Sequence, residues 1–162
     1  MPDVDPGFGH WMAGLTDGEG SFGIYRSNPN KGLSDWRMTF TIKLRDDDEP
    51  TLRLIQQTLG IGSMGHCRDK RGLANPTAKW QVGARAELLV IVELFDAYPL
   101  RARKAEAYAV WREALLTARG DWARMAIYRE QLTQAQMYAG SPQRMVVALA
   151  PTLFDRHEAV AS

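Results

Sequence analysis

Apolar and polar positions alternate in two parts of the chain and recur at helical spacing elsewhere, and this pattern divides the sequence into elements. Over residues 21–27, Phe22 and Ile24 fall on one face while Ser21, Gly23, Tyr25 and Ser27 fall on the other. That is the period-two signature of a half-buried strand. Residues 36–44 repeat it, with Trp36, Met38, Phe40 and Ile42 inward and Arg37, Thr39, Thr41 and Lys43 outward. Asn28-Pro29-Asn30-Lys31-Gly32 supplies turn chemistry between the two, so together they predict a hairpin. A second hairpin is predicted from residues 61–68 and 77–83, around a loop at 69–76. Here Ala78, Trp80 and Val82 point inward while Thr77, Lys79 and Gln81 point out.

Helices fill the remainder. The first is predicted over residues 10–19, with Gly20 in the left-handed conformation that stops it. Asp46-Asp47-Asp48-Glu49-Pro50 starts a second, with acids over the positive end of the dipole and proline in the first turn. A structural role is enough to account for that acidic run. Leu52, Ile55 and Leu59 mark its buried face and Gly60 its end. A third helix, over 85–95, is apolar at Leu88, Leu89, Ile91, Val92 and Phe95, and Pro99 closes the link after it. A fourth spans 101–118 and opens on Arg101, Arg103 and Lys104. Cations at a helix start oppose the dipole, so they are placed for an anion. Gly120 stops this helix, and Asp121 caps a fifth that carries Trp122, Met125, Ile127, Tyr128 and Leu132 and ends near Gly140-Ser141-Pro142.

The order predicts an α+β fold: an αββαββα core with one antiparallel sheet, its apolar face covered by helices and its polar face open, then extra C-terminal helices. Residues 1–140 are read as one domain and 141–162 as a tail. The apolar patch at 145–150 either covers the core or belongs to a flexible end.

Composition narrows the chemistry. A chain of 162 residues is long enough for one proper core. Cys67 is the only cysteine, which excludes an internal disulfide and a cysteine-rich zinc site and points to a reducing compartment. The start, Met-Pro-Asp-Val-Asp, lacks signal-peptide character, and the apolar run at 88–92 is too short to cross a bilayer, so no membrane partner is expected. Net charge is only +1, but it is segregated. Residues 21–45 and 61–85 together hold ten basic and two acidic side chains, while the rest holds ten basic and seventeen acidic. One face presented to phosphates has this footprint. The candidate contacts are Ser21, Tyr25, Ser27, Arg37, Thr39, Thr41, Lys43, Lys79 and Gln81 on the strands and Arg68, Lys70 and Arg71 in the second hairpin. A two-stranded ribbon fits the major groove, where arginine, lysine and glutamine reach base edges.

The stretch Met12-Ala13-Gly14-Leu15-Thr16-Asp17-Gly18-Glu19-Gly20 combines two features that helices avoid. Gly14 and Gly18, with Ala13 beside them, weaken the helix but leave a shallow groove that the same helix of a second copy could enter. Asp17 and Glu19 oppose the dipole at the helix end unless a cation offsets them, and a divalent metal would do so. Ala13, Gly14, Asp17 and Gly18 are the candidate dimer-interface residues. One copy of the motif per chain requires two chains for a two-helix site.

The run Met-Ala-Gly-Leu-Thr-Asp-Gly-Glu-Gly-Ser-Phe resembles the LAGLIDADG motif of homing endonucleases, identical at Ala13, Gly14, Leu15, Asp17 and Gly20 and departing at Met12, Thr16, Gly18 and Glu19. Leu-Gly-Ile-Gly at 59–62, Trp80 and Pro99-Leu100 followed by basic residues extend the resemblance over roughly residues 10–118. It implies a saddle-shaped sheet and a homodimeric, magnesium-dependent endonuclease, with manganese as a substitute. The enzyme would make double-strand breaks in a long pseudo-palindromic DNA target. It would be encoded in an intron or mobile element and act on DNA in the cytoplasm, nucleoid or organelle matrix. Glu19 would then be the metal ligand, assisted by the Gly18 carbonyl, and Arg103, before Lys104, the basic residue at the scissile phosphate. Leu44 would stand where the family often keeps a water-ordering polar residue. A non-cleaving binder of the same fold, an RNA-splicing maturase or transcription regulator, is the alternative. His10, His66 and His157 lack ligand spacing and are read as structural or solvated.

Overall fold

A computed structural model describes residues 4–26, 36–67, 75–118 and 120–137. Ser27, Arg68, Lys70 and Arg71, the first hairpin loop and the tail lie outside the described residues. Helix α1 (Pro6–Glu19) starts earlier than the apolar pattern suggested. Asp5 accepts a hydrogen bond from the Phe8 amide at 3.1 Å and Pro6 occupies the first turn, so a complete N-cap lies upstream of the apolar stripe.

Strand β1 (Gly20–Arg26) follows without a break. Gly20 is extended, at φ −70° and ψ 152°, and not left-handed; the Thr16 side chain lies against it, in the space where a Cβ would go. Strand β2 (Trp36–Arg45) leads through a 3-10 turn at Asp46–Asp48 into α2 (Glu49–Leu59), which ends on Gly60 at φ +68° as expected. Strands β3 (Ser63–Cys67) and β4 (Thr77–Val82) form the second hairpin, and α3 (Arg85–Ala97) completes the αββαββα core. The sheet is antiparallel with order β1-β2-β4-β3.

Helix α4 (Lys104–Thr117) begins three residues later than expected, and α5 (Trp122–Gln136) is capped by Asp121, whose carboxylate accepts from the Arg124 amide at 3.0 Å. The core is aromatic at its centre. The Phe22 ring stands 5.1 Å from Phe40, 5.3 Å from Trp111 and 5.6 Å from Tyr108, joining sheet to α4. Tyr108 donates to Asp96 at 2.7 Å, and Arg112 grips the same carboxylate with two nitrogens, tying α3 to α4. Burial and the Asp96 carboxylate push the Tyr108 phenol above its usual range, while the Arg112 hydrogen bond holds Asp96 low. Gln136 at the end of α5 donates to the Phe22 carbonyl at 2.7 Å, so α5 covers part of the otherwise unpaired edge of β1.

Candidate nucleic-acid interface and catalytic centre

The strands alternate as the pattern predicted, with Phe40, Ile42, Ala78, Trp80 and Val82 wholly buried on the helix side. On the opposite face the register forms rows across the sheet. Ser21, Thr41, Gln81 and Ser63 make one row, and Lys43, Lys79 and Gly65 the next. Tyr25 and Arg37 pair near the far end of β1 and are exposed. Thr39 departs from its expected role: it is only 8 % exposed, flanked by the backbones of Gly23 and Gly83, and packs in the middle of the face instead of projecting from it.

Lys43 and Lys79 stand directly opposite each other, an unfavourable pairing of like charges in a free sheet. Lys79 donates to the Gln81 side chain at 3.0 Å, so its ammonium is held along the face. An anionic surface laid over this row would relieve the repulsion.

At the β1 edge, α1 delivers the acids. Asp17 Oδ2 accepts from the backbone amides of Arg101 and Ala102 at 2.9 and 3.1 Å, so this oxygen anchors the turn before α4, while Oδ1 is buried without a hydrogen-bond partner among the described residues. That anchoring places Lys104, whose ammonium donates to the Gly18 carbonyl at 2.6 Å. Desolvation lowers the Lys104 pKa, and the charges of Glu19 and Asp17 oppose that shift. A lysine of the chain therefore supplies part of the positive charge that two acids at a helix C-terminus require. Arg103, ranked first from sequence, lines the same cleft, but its guanidinium donates to the Met137 carbonyl at 2.6 Å. Lys104 is the cation beside the acids.

Glu19 is exposed at the tip of α1, one residue from Ser21 on the polar face only through Gly20. A cleft of ≈ 400 Å³ opens there between Asp17, Gly18, Ser21, Arg103, Lys104 and Gln136. Asp17 and the Gly18 carbonyl line it, each already hydrogen-bonded within the chain, and the exposed Glu19 carboxylate follows them at the tip of the helix; all three are oxygen donors. Such donors suit magnesium, but one carboxylate from one chain is an incomplete set.

Two further expectations need correction. Ala13 is 5 % exposed and belongs to the core of its own chain, so it does not contribute to an open face. Leu44 shares the parity of Phe40 and Ile42 and packs, partly buried, against the core on the helix side, away from the polar face that carries Lys43. Gly14 and Gly18, in contrast, are exposed, and a Cβ built on either meets nothing within 4 Å. Nothing within the described chain requires glycine at these positions.

Sequence reasoning missed one grouping. His66 on β3 lies 2.8 Å from Glu49 and 3.6 Å from Asp46, residues 17 and 20 positions away in sequence. The His66 hydrogen bond holds the Glu49 carboxyl below its usual range.

Comparison with known proteins places these features in a family context. Residues 12–115 match the family model described as LAGLIDADG endonuclease. A probable intron-encoded endonuclease of Schizosaccharomyces pombe is 31% identical over 109 residues, which is 67% of this chain and 27% of that protein. Probable intron-encoded endonuclease 3 of Neurospora crassa is 31% identical over 65% of this chain and 20% of its own length. The chain thus spans between a fifth and just over a quarter of these two curated relatives. Among solved structures, the homing endonuclease I-TnaI superposes with TM-score 0.66 at 23% identity, covering 91% of this chain and 97% of that one. The LAGLIDADG meganuclease I-CpaMI, bound to uncleaved DNA, gives TM-score 0.65 at 24% identity, covering 93% of this chain and 49% of that one.

Proposed function

The chain belongs to the LAGLIDADG endonuclease family, and on that premise we propose that it is a site-specific DNA endonuclease, working as a homodimer on a long pseudo-palindromic duplex with magnesium. The observation that carries this reading is the tip of α1, where the exposed Glu19 follows Gly18, whose carbonyl holds the Lys104 ammonium, at the edge of a polar, basic sheet face. A pure binder gains nothing from an exposed carboxylate turned toward phosphates.

Each residue then has a task. Lys43, Lys79 and Arg37 attract the backbone and reach base edges, with Ser21, Tyr25, Thr41 and Gln81 completing the face. Glu19 would hold the metal with the Gly18 carbonyl, two chains and the DNA phosphates completing the oxygen set. Bound there, magnesium would supply Lewis-acid stabilisation of phosphoryl charge and a water of lowered pKa. Lys104 sets a fixed positive charge beside the position where that charge develops. The dimer is supported by Gly14 and Gly18, open glycines that a second backbone would explain. DNA in a nucleoid or organelle matrix is the natural location of such an activity.

The test is incubation with duplex DNA spanning the uninterrupted insertion site of its own gene, in magnesium and in calcium. Cutting of both strands in magnesium supports the proposal. Tight binding without a cut in magnesium identifies a maturase or regulator instead.

Two substitutions test the assignments. Lys104→Ala is expected to lower kcat by about a hundredfold with DNA affinity nearly unchanged, whereas Arg103→Ala leaves kcat within a few-fold, measured by single-turnover cleavage. Lys43→Ala should move stability and binding in opposite directions. Relief of the Lys43–Lys79 repulsion raises the urea midpoint by the equivalent of about 0.2–1 kcal/mol per chain, while the slope of log K against log salt for binding of the dimer to DNA becomes shallower by about 1.8, about 0.9 for each chain's lost phosphate contact.

A further inference from the structure

We propose that Asp46, Glu49 and His66 form a binding site for a divalent transition-metal ion such as zinc, separate from the DNA-facing acids and placed to clamp the edge strand β3 to the start of α2. The three side chains come from different parts of the fold: Asp46 opens the 3-10 turn, Glu49 is the first residue of α2, and His66 lies on β3. One ligand atom of each lies within 4.8 Å of the others. The imidazole Nε2 is 2.8 Å from Glu49 Oε2 and 3.6 Å from Asp46 Oδ1. An ion bound tetrahedrally at about 2.0–2.1 Å needs its ligand atoms about 3.3–3.4 Å apart, which those separations bracket.

The surroundings hold this grouping in place. The Asp46 amide donates to the Pro76 carbonyl at 3.1 Å, fixing the turn against β4. Arg53 takes the other oxygen of Glu49, leaving Oε2 to the imidazole, and Arg45 pairs with Asp47 at 2.5 Å. The two neighbouring guanidinium groups are thus bound to other oxygens. Two carboxylates and a neutral imidazole balance a divalent charge. At 36%, 21% and 46% exposure, the side chains of Asp46, Glu49 and His66 leave room for water as a fourth ligand. An imidazole with two carboxylates suits zinc, cobalt, nickel or manganese, and magnesium less well. In the metal-free chain a hydrogen bond joins His66 Nε2 to Glu49 Oε2. The ion would take the place of that hydrogen, with the single N–H of the neutral imidazole on Nδ1.

Register separates this site from the DNA face. His66 pairs with the buried Ala78 and so projects to the helix side, while its neighbour Cys67 pairs with Thr77 on the other face. The β3 strand lies at the opposite edge of the sheet from β1, where Glu19 leads in. An ion bridging β3 to α2 would clamp an edge strand, which has a single sheet neighbour.

The experiment is titration of the untagged full chain, without DNA, by zinc in a calorimeter and by cobalt in the visible spectrum. The expected result is one ion per chain, absorption bands of a four-coordinate cobalt site, and retention of the ion in excess magnesium. Glu19→Gln and Cys67→Ser should bind unchanged, while His66→Gln and Glu49→Gln each weaken binding at least about tenfold. Circular dichroism of the metal-free variants confirms that they fold. Wild-type affinity in both His66→Gln and Glu49→Gln, or loss of the ion in Glu19→Gln, would overturn the assignment.

Discussion

Glu19→Gln is expected to abolish double-strand cleavage, by about a thousandfold or more, while leaving DNA affinity equal to wild type or slightly tighter. The amide preserves side-chain size at an exposed position, and the contacts that fix this end of α1 belong to Asp17 and to the Gly18 carbonyl, not to Glu19. Fold and placement of Lys104 should therefore survive. What disappears is an anionic oxygen donor for a metal. Removing a carboxylate that faces phosphates also removes a repulsion, which gives the sign of the affinity change. Single-turnover cleavage beside a gel-shift titration separates the two effects. A parallel loss of binding would mean that Glu19 supports the fold or the interface instead of the chemistry.

Gly14→Leu is expected to split the dimer and, with it, abolish cleavage, while the isolated chain becomes no less stable. Within one chain a Cβ at Gly14 meets nothing within 4 Å, and replacing a mid-helix glycine by leucine favours the helix by up to about 1 kcal/mol. A branched side chain placed where a second backbone must approach would instead hold the two helices apart. Trp11, 39% exposed, and the half-buried Leu15 lie on neighbouring turns of the same helix, as apolar flanks for such a contact. Light scattering gives the mass and a urea titration the stability. An unchanged dimer with unchanged cleavage would place the two-chain contact elsewhere.

The elements themselves were legible because their signals are local. Alternation over residues 36–44, Gly60 after the last buried leucine of α2 and Asp121 ahead of α5 each depend on a few neighbouring residues, and each held. The errors came where a distant part of the chain decides. Gly20 had every local reason to adopt a left-handed turn, but β2 pairs with it through Ile42 and draws it into the sheet. Arg103 and Lys104 are adjacent cations in sequence, and only the docking of α5 takes Arg103 to Met137 and leaves Lys104 at Gly18. Ala13 sat among small residues that suggested an interface, yet its direction around the helix is toward the core. His66 acquired carboxylate partners through the β3–β4 pairing that sets it above α2, a contact that no spacing along the chain encodes.

If two chains each bring one Glu19 to a shared centre, wild-type chains re-equilibrated with about nine equivalents of Glu19→Gln chains form mostly mixed dimers that lack one of the two carboxylates. With target plasmid in excess over protein and wild-type concentration held constant, linear product should fall to about a tenth, the share of wild-type chains still paired with each other. Linear product formed at an undiminished rate would show that one chain cuts both strands by itself, and would contradict the shared centre.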